Sequence, residues 1–243
     1  MTLFGTTRSS IRADHALIAP DSHVHAPIPG WDNADIIVLI SPHMGARFTQ
    51  YLAAMNAGAV AAPAKAGGER VIFVLDGEIQ AGTHRLTTGG FAFLPADGGI
   101  AIHAKTPARL NVFEKRYVPL VGVAPPEPRF GQEQTIEGMA FLGDPDAVLK
   151  TFLPLDASFD LAVNLFTFRP GAALPFVEVH VMEHGLLMVE GQGVYRLADA
   201  WYPVQQGDAI WMASYCPQWF VAMGKSPARY LYYKDVNRDP LPS

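Results

Sequence analysis

Three short blocks of this 243-residue chain recur in one order, and that repeat constrains the fold more than any single residue does. Val74-Leu75-Asp76-Gly77 is echoed by Met188-Val189-Glu190-Gly191, Gly89 to Pro95 by Gly207 to Ala213, and Thr106-Pro107-Ala108-Arg109 by Ser226-Pro227-Ala228-Arg229. The offset drifts from 114 to 120, as when loops change length after a duplication. Self-similarity in fixed order predicts two copies of one structural unit. Residues 1–122 hold the first copy and 156–243 the second. Between them, 123–155 opens with Ala124-Pro125-Pro126-Glu127-Pro128, whose fixed φ angles and missing N–H donors predict an extended connector.

Each copy reads as β. Asp35–Ile40, Arg70–Leu75 and Leu110–Phe113 are short, rich in β-branched and aromatic residues, and separated by turn residues such as Asp76-Gly77, Gly89-Gly90 and Pro107. Leu161–Phe168, Leu186–Glu190, Ala209–Met212 and Arg229–Tyr233 repeat the style. Only Phe48–Met55 and Asp144–Phe152 carry a helical pattern. The 22 glycines and 20 prolines fit many short elements joined by tight turns. A lone Cys216 excludes a disulfide scaffold. A net charge of -5 with no basic cluster beyond Lys115-Arg116 argues against nucleic acid. No apolar run approaches the roughly 18 residues of a membrane span, so a soluble, cytoplasmic protein is expected.

Chemistry concentrates in the second copy, over Gly171 to Gly191. Glu178 and His180 stand two residues apart, so on a strand they share a face, and His184 can return to it after a turn. This arrangement resembles the first cupin motif. Gly207-Asp208-Ala209-Ile210-Trp211-Met212 resembles the second, with Gln218 where its last ligand falls. The resemblance implies an all-β bicupin, two tandem jelly-roll (double-stranded β-helix) barrels. Glu178 takes the usual first-histidine slot, His184 the usual glutamate slot, and Gln218 the usual final-histidine slot. One carboxylate, two imidazoles and one amide oxygen, without thiolate, suit Mn(II) best, then Fe(II) or Zn(II). In the first copy the corresponding positions hold residues such as Ala54 and Ile100. His103 is isolated and Glu69 has no nearby imidazole, so that barrel is expected to lack a metal. His23-Val24-His25 has ligand spacing but lies among prolines and reads as a loop. Cys216, two residues before Gln218, reads as a buried thiol.

The sequence is similar to the (S)-ureidoglycine aminohydrolases, bicupin enzymes of purine and allantoin catabolism. Ala16–Asp21, Lys115–Pro119, Glu178-x-His180-x-x-x-His184, Gly191–Tyr195 and Tyr233–Asp239 carry the likeness. It implies a hydrolase acting on a linear amidine-type C–N bond, with manganese on Glu178, His180, His184 and Gln218. It also implies substrate contacts from Tyr195 and Lys234. On chemical grounds Lys234 suits the substrate carboxylate or a proton, and Glu178, Tyr195 and Lys234 are each able to shuttle one. A cupin Fe(II) dioxygenase and a non-catalytic small-molecule binder are the competing readings. Trp211, Trp219, Tyr230, Tyr232 and Tyr233 are either core or the interface of a homo-oligomer.

Overall fold

The computed structural model describes residues 6–239. Twenty strands, all paired antiparallel, and three short 3-10 turns make up its regular structure. The N-terminal half is built on Trp31–Ile40, Thr49–Ala61, Ala108–Arg116, Gly68–Asp76 and Gly90–Leu94, paired in that order. In the C-terminal half, Ala209–Met212, His184–Glu190, Ala228–Asp235, Leu161–Phe168 and Asp144–Thr151 form the corresponding sheet. A second sheet of Ala200–Gln205, Gln192–Leu197 and Gln218–Met223 completes the wall.

Both stretches with a helical pattern are strands. Phe48–Met55 runs into Thr49–Ala61, and Asp144–Phe152 contains Asp144–Thr151. Thr49–Ala61 is hydrogen-bonded on both edges, by Trp31–Ile40 and by Ala108–Arg116. Pairing on two sides and burial of residues such as Tyr51 and Ala53 outweigh the helix propensity of Gln50-Tyr51-Leu52-Ala53-Ala54.

Side-chain alternation sorts the apolar residues into three layers. In Ala228–Asp235, Tyr230 and Tyr232 belong to the interior of the C-terminal barrel, and Leu231 and Tyr233 to a layer between the barrels. The interior of the N-terminal barrel forms the third. In the shared layer the Phe48 ring stacks on Tyr233 with centroids 4.2 Å apart. Gly185 permits this approach, because a Cβ there would stand 2.4 Å from the Phe48 ring. Trp211, Tyr230, Tyr232 and Tyr233 are all buried within the chain, so these aromatics fill cores.

The repeat has a steric cause. Gly77 and Gly191 both adopt positive φ, +81° and +76°. In each, a Cβ would lie 2.3 Å from a proline carbonyl oxygen, of Pro107 and Pro227 respectively. The recurrent Gly and Pro-Ala blocks are thus two faces of one contact, made once per barrel.

Strands cross between the halves. His15–Ile18 pairs with Ala209–Met212 of the C-terminal sheet, and Arg129–Gln132 pairs with Gly90–Leu94 of the N-terminal one. The segment 123–155, read as a connector, holds strands belonging to both sheets. A cavity of about 330 Å³ between the barrels is lined by repeat-related residues, among them Val74 and Met188, Gly89 and Gly207, Arg109 and Arg229. None of the sequence-predicted site residues reaches it. Among the described residues, no helix is long and apolar enough to cross a membrane.

Candidate active site

A smaller cavity, about 200 Å³, lies inside the C-terminal barrel and is lined by Glu178, His180, His184, Tyr195, Gln218 and Lys234. The structure therefore brings every sequence-predicted site residue to one chamber. The carriers differ from expectation in one respect: Glu178 and His180 are not on a regular strand. Glu178 is tied to Gln218 by an isolated bridge, its N–H donating to the Gln218 carbonyl at 2.8 Å and its carbonyl accepting from the Gln218 N–H at 2.9 Å. The Tyr215 N–H donates to the His180 carbonyl at 2.8 Å. The pairing stops at this one bridge, yet both Glu178 and His180 line the chamber.

His184 opens its strand and faces Lys234 directly across the ladder. Gln218 opens the strand that runs beside Tyr195. The Nε2 atoms of His180 and His184 are 3.0 Å apart, and the Gln218 amide nitrogen lies 2.9 Å from the same His180 Nε2. His180 Nδ1 donates to the Met182 carbonyl at 3.1 Å, and His184 is hydrogen-bonded to the backbone of Tyr233. With those hydrogens on the Nδ1 atoms, two neutral rings present lone pairs to each other. Such a donor pair is able to hold a cation. Two nitrogens each about 2.1 Å from one ion lie about 3 Å apart in neighbouring octahedral positions, which matches the observed spacing. Turned over, the Gln218 amide presents its oxygen at the same place.

Burial shapes the charges. Desolvation lowers both imidazoles, His184 well below its ordinary value, and keeps them neutral and able to bind a metal. Burial raises the Glu178 carboxyl, and the Lys234 ammonium partly counters it. Burial likewise lowers Lys234, partly countered by Glu178 and Asp235. Tyr195 is raised by burial and stays protonated, with its hydroxyl bonded to that of Tyr230. Glu178 has no hydrogen bond to its carboxylate among the described residues, and that carboxylate stands more than 4.8 Å from at least one of the two imidazoles' ligand atoms.

The trio that does close within 4.8 Å among the described residues is Asp14, His15 and Cys216, none of which lines the chamber. Both His15 nitrogens are already engaged, Nδ1 with Asp14 at 2.8 Å and Nε2 with the Tyr202 hydroxyl at 2.8 Å. Burial pushes the Cys216 thiol up to about 11, so it remains protonated. The donor chemistry there is poorer than in the chamber. His23 and His25 lie outside the named strands. Glu69, without an imidazole in the sequence reading, pairs with Lys115, which also contacts Asp160.

Sequence reasoning missed Arg47, Glu183 and Asp235. Arg47 Nε donates to Glu183 at 3.1 Å and its terminal nitrogen to Asp235 at 2.8 Å, immediately behind His184 and Lys234. No local pattern marks a contact spanning more than a hundred residues.

Two antiparallel barrels related by an internal repeat, one carrying inward imidazole, carboxylate and amide groups, define a bicupin. Residues 164–233 match the cupin domain family. A protein of Oryza sativa subsp. japonica named probable (S)-ureidoglycine aminohydrolase is 45% identical over 244 residues, covering 98% of this chain and 78% of that one. The (S)-ureidoglycine aminohydrolase of Arabidopsis thaliana is 42% identical, covering 98% of this chain and 80% of that one. The crystal structure of protein Ylba from E. coli superposes with a TM-score of 0.86 at 31% identity, covering 97% of both chains. The chain belongs to the (S)-ureidoglycine aminohydrolase family.

Proposed function

We propose that this chain hydrolyses (S)-ureidoglycine to (S)-ureidoglycolate and ammonia in the C-terminal barrel. Glu178, His180, His184 and Gln218 hold a divalent metal there, and Lys234 and Tyr195 hold the substrate. The observation that carries the reading is the meeting of two imidazole nitrogens and an amide at one point of a chamber that also contains Lys234. The names of the curated relatives supply the substrate. A chamber of about 200 Å³ suits so small a molecule, since drug-sized ligands occupy roughly 300–1,000 Å³.

The reacting carbon carries an amine, a ureido group and a carboxylate. Lys234 is the charge partner of that carboxylate, and Tyr195, kept neutral by burial, donates a hydrogen bond to a polar substituent. The C–N bond to the amine breaks, a C–O bond to water forms, and a proton of that water leaves with ammonia. Glu178, Tyr195 and Lys234, which all line the chamber, are the groups able to carry that proton. Phe166, Tyr230 and Tyr232 wall the chamber. When bound, the metal supplies Lewis-acid polarisation of an oxygen or nitrogen atom. Two oxygen donors in the set favour Mn(II), with Fe(II) and Zn(II) as the alternatives.

The test is ammonia release from freshly prepared (S)-ureidoglycine, run with elemental analysis of the purified protein. Stoichiometric metal with substrate-dependent ammonia supports the reading. Metal without ammonia release removes the activity and keeps the metal site, and oxygen uptake during turnover replaces hydrolysis with oxidation.

A further inference from the structure

We propose that Arg47, carried by the N-terminal half, is a positioning residue for the C-terminal site. It locks together the strand ends that present His184 and Lys234. The inference rests on the reading of those two residues as site groups.

The argument starts from alternation. His184 and Lys234 are register partners on neighbouring strands and both point into the chamber. Their neighbours Glu183 and Asp235 therefore point out of the barrel, toward the other half. The Glu183 N–H donates to Asp235 Oδ1 at 2.6 Å, which joins the two strand ends. Two carboxylates now stand side by side with little solvent: the Glu183 side chain is 3% exposed and that of Asp235 13%. Left unpaired, they would repel each other and draw in water.

Arg47 resolves this with both backbone and side chain. Its N–H donates to the two Glu183 carboxylate oxygens at 3.0 and 3.2 Å. Its Nε reaches Glu183 at 3.1 Å. One terminal nitrogen donates to Asp235 at 2.8 Å and to the Ser214 hydroxyl at 3.1 Å. Trp211 Nε1 adds a donor to Glu183 at 3.4 Å. One planar guanidinium thus touches three segments, lying just before His184, just after Lys234 and four residues before Gln218. A planar fork suits this, because it fixes direction as well as charge. A metal ligand's surroundings commonly contribute 10–100-fold in affinity or activity, and a misplacement near 1 Å costs about 10²-fold. The half that supplies none of the predicted donors thereby sets the geometry of the half that does.

The experiment compares Arg47→Ala, Arg47→Lys and a control, Arg169→Ala, whose guanidinium pairs with Asp146 on the exposed surface. Steady-state ammonia release and peptide-resolved hydrogen exchange are measured on each. In Arg47→Ala, kcat is expected to fall about 10–100-fold with KM within about threefold of wild type. Exchange in peptides covering 183–187 and 231–235 should quicken at least about tenfold while 70–75 is unchanged. Arg47→Lys should fall between wild type and Ala, and Arg169→Ala should match wild type. Wild-type kcat and exchange in Arg47→Ala overturn the proposal. So does faster exchange spread evenly over both halves, which would make Arg47 a general stabiliser. If the wild type releases no ammonia from ureidoglycine, the functional reading fails and the exchange pattern alone decides Arg47. If Arg47→Ala does not accumulate folded, Arg47→Lys carries the same comparison.

Discussion

His180 and His184 point their Nε2 atoms at each other across 3.0 Å. The His180 Nδ1 hydrogen is taken by the Met182 carbonyl, which leaves its Nε2 a lone pair able to accept a proton or a cation. His180→Ala or His184→Ala is therefore expected to abolish stoichiometric Mn(II) binding, and Gln218→Ala to weaken it about tenfold or more. Cys216→Ser should leave bound metal unchanged, because the Asp14–His15–Cys216 trio has no free imidazole nitrogen. Titration calorimetry with Mn(II) and elemental analysis check all four variants. Loss of metal in Cys216→Ser would move the site out of the chamber.

Lys234 is the group whose removal should separate binding metal from using it. A charge-assisted hydrogen bond contributes about 1.5–3 kcal/mol, so Lys234→Ala should lower kcat/KM roughly 10–150-fold. Its metal content should stay that of the wild type. A metal-loaded Lys234→Ala protein with wild-type rates would remove this residue from the mechanism.

Gly191 and Gly77 predict a stability effect that needs no assay of function. Positive φ alone costs an alanine about 1–2 kcal/mol. Gly58, at φ +83° with nothing within 4 Å of a Cβ, isolates that part. Gly191→Ala must also displace Pro227 or Ala228, so its Tm should fall further than that of Gly58→Ala. In a chain of this size about 1 kcal/mol moves Tm by roughly 2–4 °C. Equal losses in thermal unfolding would show that the Pro227 contact is dispensable.

The Glu69 carboxyl predicts an alkaline weakness. Burial first, then the neighbouring Asp160 carboxyl, pushes Glu69 up to about 9 against the pull of Lys115. Between the ordinary glutamate value near 4.3 and that figure, the folded chain holds a proton that the unfolded chain releases. Stability contributed by Glu69 is thus complete below the unfolded value and is lost as pH rises toward about 9. Glu69→Gln keeps a neutral group of the same shape. Its Tm should gain on the wild type by several degrees between pH 6 and pH 9, followed by calorimetry. A pH-independent difference would place the Glu69 proton elsewhere.

Most of the β architecture is legible in single segments. Leu161–Phe168 and Ala209–Met212 carry β-branched and aromatic runs between turn residues, and they fold as strands over those same bounds. The inward set from Glu178 to Gln218 is legible because ligand spacing is a local property. Thr49–Ala61 is not legible, since its alanines become strand only once two neighbours bond its edges. Arg47 is invisible for the same reason at longer range. Its partner carboxylates lie 136 and 188 residues away, and only the packing of the two barrels brings them together.

The crossing of His15–Ile18 into the far sheet has a consequence for how the chain is made. On a ribosome this strand is made long before Ala209–Met212, roughly 190 residues later, with which its ladder must form. Such sequence-distant pairing slows folding and prolongs exposure of unpaired edges. The C-terminal sheet reaches its full width only once both His15–Ile18 and Ala209–Met212 have been made. Until Ala209–Met212 is made, His15–Ile18 lacks its partner on that side and the site-bearing sheet is incomplete.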